Sequence, residues 1–243
     1  MEQKENLLST PVAIIIAGAL IALAVVGTGK GSSPASQKAA VVDNGGLGQE
    51  QKAQEIILKP ISSSDHVRGD IKAPVKIVEF SDTECPFCKN FHFTMKQVYE
   101  KYSKDGKFAW VYRQSPLDSL HSKARKEAEA TECAAALGGN DVFWSYLDRL
   151  MEVTPSNNGL DPAELPKIAK EVGLDVAQFE KCLESGKYSQ VVEDQLQDAI
   201  ASGGGGTPHS IAISADDQKA PIDGAYPFDQ VDKIVSGLLV NNK

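Results

Sequence analysis

At 243 residues, with 42% hydrophobic and 24% charged residues, the chain can bury a sizeable core, and one moderate domain plus extra segments is the natural expectation. A net charge of −8 argues against a general nucleic-acid binder, which would carry a basic face. Acidity otherwise speaks only to solubility.

Residues 1–10 form a short N-terminal segment, and no charged residue falls between Asn6 and Gly29. Val12 to Val26 is unbroken Ala, Val, Ile, Leu and Gly, with Pro11 placed to start a helix. As a helix, 11–29 would span about 28 Å, close to the thickness of a bilayer's hydrocarbon core. The stretch reads as a transmembrane anchor. The competing reading is a cleaved signal sequence, for which Val25-Val26-Gly27 is a tolerable context although Lys4 is flanked by Glu2 and Glu5. Lys4 on one side and Lys30 and Lys38 on the other leave the charge rule for orientation nearly tied. Four cysteines that look paired favour an oxidising compartment, and so a soluble part outside the cytoplasm.

Residues 30–60 read as a flexible linker rich in Gly, Ser, Ala and Gln, with a short helix predicted over Gln49 to Leu58. The folded domain is placed at 61–243, with its first firm structure near Val67. Val75 to Phe80 alternates and is rich in β-branched residues, as a strand would be. Cys85-Pro86-Phe87-Cys88 follows, and then Phe91, Met95, Val98, Tyr99 and Tyr102 at helical spacing. A cysteine at a helix N-terminus faces unpaired N–H groups and the positive end of the dipole, which favour its thiolate. The thiolate is the nucleophile of disulfide exchange, and a second cysteine can resolve the mixed disulfide.

Phe108 to Arg113 reads as a second strand. Helices are then predicted over Ala124–Leu137, Asp141–Met151, Pro166–Val172, Val176–Leu183 and Gln190–Ala201. Asp175 and Gln178 mark a helix start, and Gly186 a stop. After Gly203 to Gly206, read as a hinge, Ser210–Ile213 and Lys219–Ile222 form a hairpin around Asp216-Asp217, and Phe228–Val240 an amphipathic helix. The order is strand, helix, strand, helical block, strand, strand, helix.

That order, with a dithiol at the first helix, resembles the DsbA-like thiol–disulfide oxidoreductases, an α/β thioredoxin fold with an inserted helical domain, here at about 117–203. Ala73-Pro74-Val75, Glu79-Phe80-Ser81-Asp82 before Cys-Pro-Phe-Cys, Glu132-Cys133-Ala134-Ala135 with Phe143-Trp144 following, Phe179 to Ser185 around Cys182, and Gly206-Thr207-Pro208 carry the resemblance. It implies that Cys85 is the exposed nucleophile and Cys88 the buried resolving thiol. Glu79 would be a buried acid beneath them, able to relay the Cys88 proton. Pro208 would be a cis-proline facing the dithiol, and Thr207 would shape substrate contacts. Cys133 and Cys182 would bridge two insertion helices, one of three pairings that four cysteines allow.

Several plainer readings compete. Glu79 could face solvent, since Lys76 also breaks the apolar pattern of its strand. Cys-Pro-x-Cys also occurs in zinc knuckles, but no second C-x-x-C or His pair follows. His209 could approach the dithiol from beside Pro208. The resemblance puts a histidine between the cysteines of the most oxidising relatives. Phe87 stands there instead and Glu84 precedes Cys85, so a less acidic thiol and a weaker oxidant are expected. No cofactor is implied. Expected partners are protein thiols or disulfides and a membrane redox partner, with the chain acting as a monomer. The rival function is a non-catalytic peptide-binding module; a reductase or isomerase would use the same dithiol.

Overall fold

The computed structural model describes residues 56–240, so the apolar stretch 11–29 and most of the expected linker lie outside it. Among the described residues no helix is long and apolar enough to cross a membrane. The strand β2, Val75–Ser81, shows why the sequence folds as it does. Its alternation sends Val75 and Ile77 to one apolar cluster and Val78 and Phe80 to another, so both faces of the sheet are covered. The helix α1, Pro86–Tyr102, follows β2 and lays Phe91, Met95 and Val98 on the first face. The last helix, α7, Phe228–Val240, adds Val231 and Val235 there.

A five-stranded sheet results. β1 (His66–Gly69), β3 (Phe108–Gln114), β4 (His209–Ile213) and β5 (Lys219–Asp223) join β2 in the spatial order β1-β3-β2-β4-β5. Only β2 and β3 run parallel, linked by the α1 crossover. β1 goes unread in the sequence: it has four residues, one of them Arg68, and no apolar alternation. Its pairing is supplied by the open edge of β3, His66 opposite Tyr112 and Gly69 opposite Ala109. Gly69 has φ +109, and a Cβ there would lie 2.7 Å from the Phe108 carbonyl oxygen, so the strand's end requires glycine.

Five helices fill the stretch between β3 and β4: α2 (Ala124–Gly138), α3 (Asn140–Val153), α4 (Glu164–Glu171), α5 (Val176–Ser185) and α6 (Ser189–Ala201). α3 serves two cores. Phe143, Trp144, Leu147 and Met151 join the sheet cluster, while Tyr146 and Leu150 join Leu165, Ile168, Phe179 and Cys182 in the insertion. Asp175 caps α5 by accepting the Gln178 N–H at 2.8 Å, and Gly186 ends it with φ 63. The helix predicted over Gln49 to Leu58 is absent in the part described: Ile56 to Leu58 are not helical. Instead Ile56 and Leu58, at the end of the expected linker, pack against the Val78–Phe80 face, where apolar burial outweighs local helix propensity.

Cys133 and Cys182 form a disulfide tying α2 to α5, with Cα atoms 5.9 Å apart across 49 residues of sequence. Replacing both by alanine is expected to lower stability by about 2–4 kcal/mol, because the unfolded chain loses a long closed loop. Urea unfolding of the double variant checks this, and a midpoint equal to the parent's contradicts it.

Candidate active site

Cys85 is the N-cap of α1 and Pro86 its first residue, where a missing N–H is harmless. Cys85, expected to be exposed, is instead buried with 4% of its surface reachable, and Cys88 has none, while Phe87 between them is 63% exposed. Both cysteines are free thiols. Thr207-Pro208 has a cis peptide bond, and its loop faces the dithiol: the Cys85 thiol reaches the Thr207 carbonyl oxygen at 3.5 Å. Beside that loop lies a cleft of about 400 Å³ lined by Gly206, Thr207, Pro208, Asp223 and Gly224.

The two thiols have opposite electrostatics. The Cys85 thiol is drawn down from 9.0 to about 6, first by the hydrogen bond from Cys88, against its own burial, with Thr207 and the backbone at Phe87 and Cys88 assisting. Cys88 is pushed well up by burial first and by its Cys85 neighbour next. One cysteine is thus a thiolate near neutral pH and the other holds its proton.

Glu79 is fully buried on the Val75–Ile77 face of β2, under α1, which removes the solvent-facing alternative. Trp110 of β3 donates its indole N–H to Glu79 Oε2 at 2.9 Å. Burial raises the carboxyl from 4.5 to about 7, opposed by Ser81 and Trp110. The Ser81 hydroxyl lies outside hydrogen-bonding geometry, so the indole is the firmer partner. Tyr112, next along the same face of β3, has its phenol pushed up by burial first and then by Glu79 and Cys88, so the carboxyl and the Cys88 thiol act on one buried ring. Trp110 and Tyr112 read in the sequence as strand residues, and only the register against β2 brings them to Glu79.

Glu84, beside Cys85 in sequence, is engaged with partners of its own. It is fully buried and accepts the Gly159 and Leu160 N–H groups at 3.2 and 3.3 Å. Three consecutive left-handed residues, Ser156, Asn157 and Asn158, shape the loop that presents these donors. Glu127 lies beside it, held up to about 9 by burial and then by Glu84, with Thr83 pulling the other way. The largest influences on the Cys85 thiol come from Cys88, burial, Thr207 and the Phe87 backbone rather than from Glu84. His209 is also engaged elsewhere, its Nδ1 paired with Asp223 at 2.6 Å and its Nε2 3.3 Å from the Ser202 hydroxyl. Cys133 and Cys182 sit in the insertion core, apart from the dithiol. Among the described residues no cluster of His, Cys, Asp and Glu has the arrangement of a metal site.

A family model described as thioredoxin matches residues 62–235, and the chain belongs to that family. Within it the likeness is to the DsbA-like thiol–disulfide oxidoreductases. DsbA2 of Pseudomonas aeruginosa is 26% identical, with a TM-score of 0.61 over 74% of this chain and 97% of that one. BdbD of Bacillus subtilis, in its oxidised form, shares the fold at 21% identity, with a TM-score of 0.65 over 76% of this chain and 97% of that one. By sequence, a Salinispora tropica protein described as Na(+)/H(+) antiporter NhaA 3 is 30% identical over 162 residues, 67% of this chain and 24% of that protein. The chain spans about a quarter of the length of the curated relatives it matches.

Proposed function

We propose that the chain is a monomeric, membrane-tethered thiol–disulfide oxidoreductase that works outside the cytoplasm and introduces disulfides into secreted or membrane proteins. The split between the two thiols carries this reading: a Cys85 thiol at about 6 beside a buried Cys88 pushed far above it. A low-pKa sulfur is the better leaving group when substrate is released, and a buried partner waits within reach to close the ring.

In the oxidised enzyme a substrate thiolate attacks Cys85 Sγ. The substrate–Cys85 bond forms as the Cys85–Cys88 bond breaks, and the electron pair goes to Cys88, which takes a proton from Glu79. A second substrate thiolate then attacks the substrate sulfur of the mixed disulfide. The substrate leaves with its own disulfide and Cys85 departs as a thiolate, so two electrons have passed to the enzyme. A disulfide-bearing membrane partner takes them back. Thr207 and Pro208 line the side of the dithiol on which the substrate chain would lie.

In its native membrane, Cys88→Ala is expected to accumulate proteins disulfide-linked to Cys85, and Cys85→Ser none. Capture of nothing by the folded Cys88→Ala chain overturns the proposal. Full cellular function in Cys85→Ser points instead to a non-catalytic peptide-binding role.

A further inference from the structure

The mechanism above leaves Asp82 unused, although this residue of the short turn between β2 and α1 directs every polar group at the dithiol or its supports. Asp82 is 1% exposed. Its backbone N–H points at Cys88 Sγ, 3.4 Å away, and its carbonyl oxygen accepts the Cys85 N–H at 3.2 Å. Its carboxylate has three donors. Oδ1 accepts the Glu84 N–H at 2.8 Å; Oδ2 accepts the Leu117 N–H at 2.7 Å and His121 Nδ1 at 2.9 Å. Leu117 and His121 belong to the segment leading into the helical insertion, so the carboxylate fastens the dithiol turn to a separate part of the fold. His121 is itself buried, at 7% exposure.

We infer that Asp82, held by His121, is a positioning residue that aims a backbone N–H at the Cys88 sulfur and so stabilises Cys88 as it leaves during disulfide exchange. This rests on the oxidoreductase reading. When a substrate thiolate attacks Cys85, the breaking sulfur–sulfur bond places its electron pair on Cys88, which is fully buried. A fixed N–H donor there strengthens as the negative charge grows. The better-stabilised leaving thiolate departs faster, and by microscopic reversibility the same donor helps Cys88 re-form the bond. The Asp82 N–H indeed opposes the upward push that burial and Cys85 exert on Cys88.

The test uses the full chain and glutathione as the attacking thiol. Asp82→Ala releases the turn, and glutathione is expected to open its Cys85–Cys88 disulfide roughly fivefold more slowly, the worth of one ordinary hydrogen bond. Asp82→Asn, which keeps an oxygen for the Glu84 N–H, should fall between the two. The Cys85 thiol, titrated in a Cys88→Ala background, should not move, whereas general distortion of the site would move it. His121→Phe removes one support without touching the Asp82 backbone and should show a smaller drop; it decides the matter if Asp82→Ala does not fold. Unchanged opening rates in an active protein, or a slowing matched by an equal shift of the Cys85 titration, overturn the inference. Failure of the unaltered chain to exchange with glutathione overturns the oxidoreductase reading and this inference with it.

Discussion

Replacing Glu79 by glutamine is expected to stabilise the fold above pH 7 and to slow disulfide exchange in the same variant. The carboxyl is buried, and its pKa rises from 4.5 to about 7. Below about pH 4.5 it carries its proton in folded and unfolded chains alike, and burial adds no ionisation penalty. Between there and about 7 the unfolded chain releases the proton while the folded chain keeps it, so stability falls as pH rises. Above 7 the loss is complete, and the shift corresponds to roughly 3 kcal/mol. Glutamine never ionises, so Glu79→Gln should gain stability of that order at pH 8 and little at pH 4, as urea unfolding at the two values would read. It also cannot give Cys88 a proton. Exchange with a substrate thiol at pH 7 should then slow by about tenfold to a hundredfold and lose its inflection near 7. A variant less stable than its parent at pH 8 would show that burial does not strain Glu79, and one that keeps the inflection would show that Glu79 is not the proton donor.

How much of this centre could be read in advance depends on whether the relevant contact is local. The strand before the dithiol, the helix after it and the asymmetry between a capping and an interior cysteine all follow from spacing within some thirty residues. The buried side of Glu79 also follows from period two, since it shares parity with Val75 and Ile77. Lys76, which made the strand look solvent-facing, is on the other face. It is half-buried and sends its ammonium back to the Ala73 carbonyl oxygen at 2.9 Å, so the charge escapes the sheet while the stem remains.

What escaped the sequence depends on contacts distant along the chain. Glu84 looked like a charge against the thiolate because it stands next to Cys85. Its real partners lie 75 and 76 residues away, on a loop bent by left-handed backbone. Asp82 was visible only as one letter of a motif, and its carboxylate acquires a purpose only when His121 arrives from 39 residues away. β1 shows the same limit at the level of the fold. Nothing in His66 to Gly69 demands a strand until the edge of β3 offers its hydrogen bonds.

A second large effect is expected at Arg113, which stands opposite Phe80 on the face of the sheet away from Glu79. This residue of β3 is 3% exposed, and its guanidinium binds Asp65 through two nitrogens, at 2.7 and 3.0 Å. It also pairs with Asp198 of α6 and donates to the carbonyl oxygens of Lys59 and Pro60. One side chain thus joins the sheet, the insertion's last helix and the segment that enters the domain. Arg113→Ala would leave two buried carboxylates, at Asp65 and Asp198, without their cation. Removing one partner of a buried ionic group typically costs about 3–5 kcal/mol, because the stranded charge keeps its desolvation penalty. The loss should appear in the urea midpoint and as faster amide exchange at residues 59–65. The cation's own net worth is a different quantity, since it too is desolvated. Replacing Arg113, Asp65 and Asp198 together by apolar residues of similar volume should therefore recover most of the stability. Recovery in the triple variant would assign the single-variant loss to stranded charge. A triple variant as unstable as Arg113→Ala would assign it to the lost hydrogen bonds to Lys59 and Pro60, and a single variant within about 1 kcal/mol of its parent would deny this residue the role.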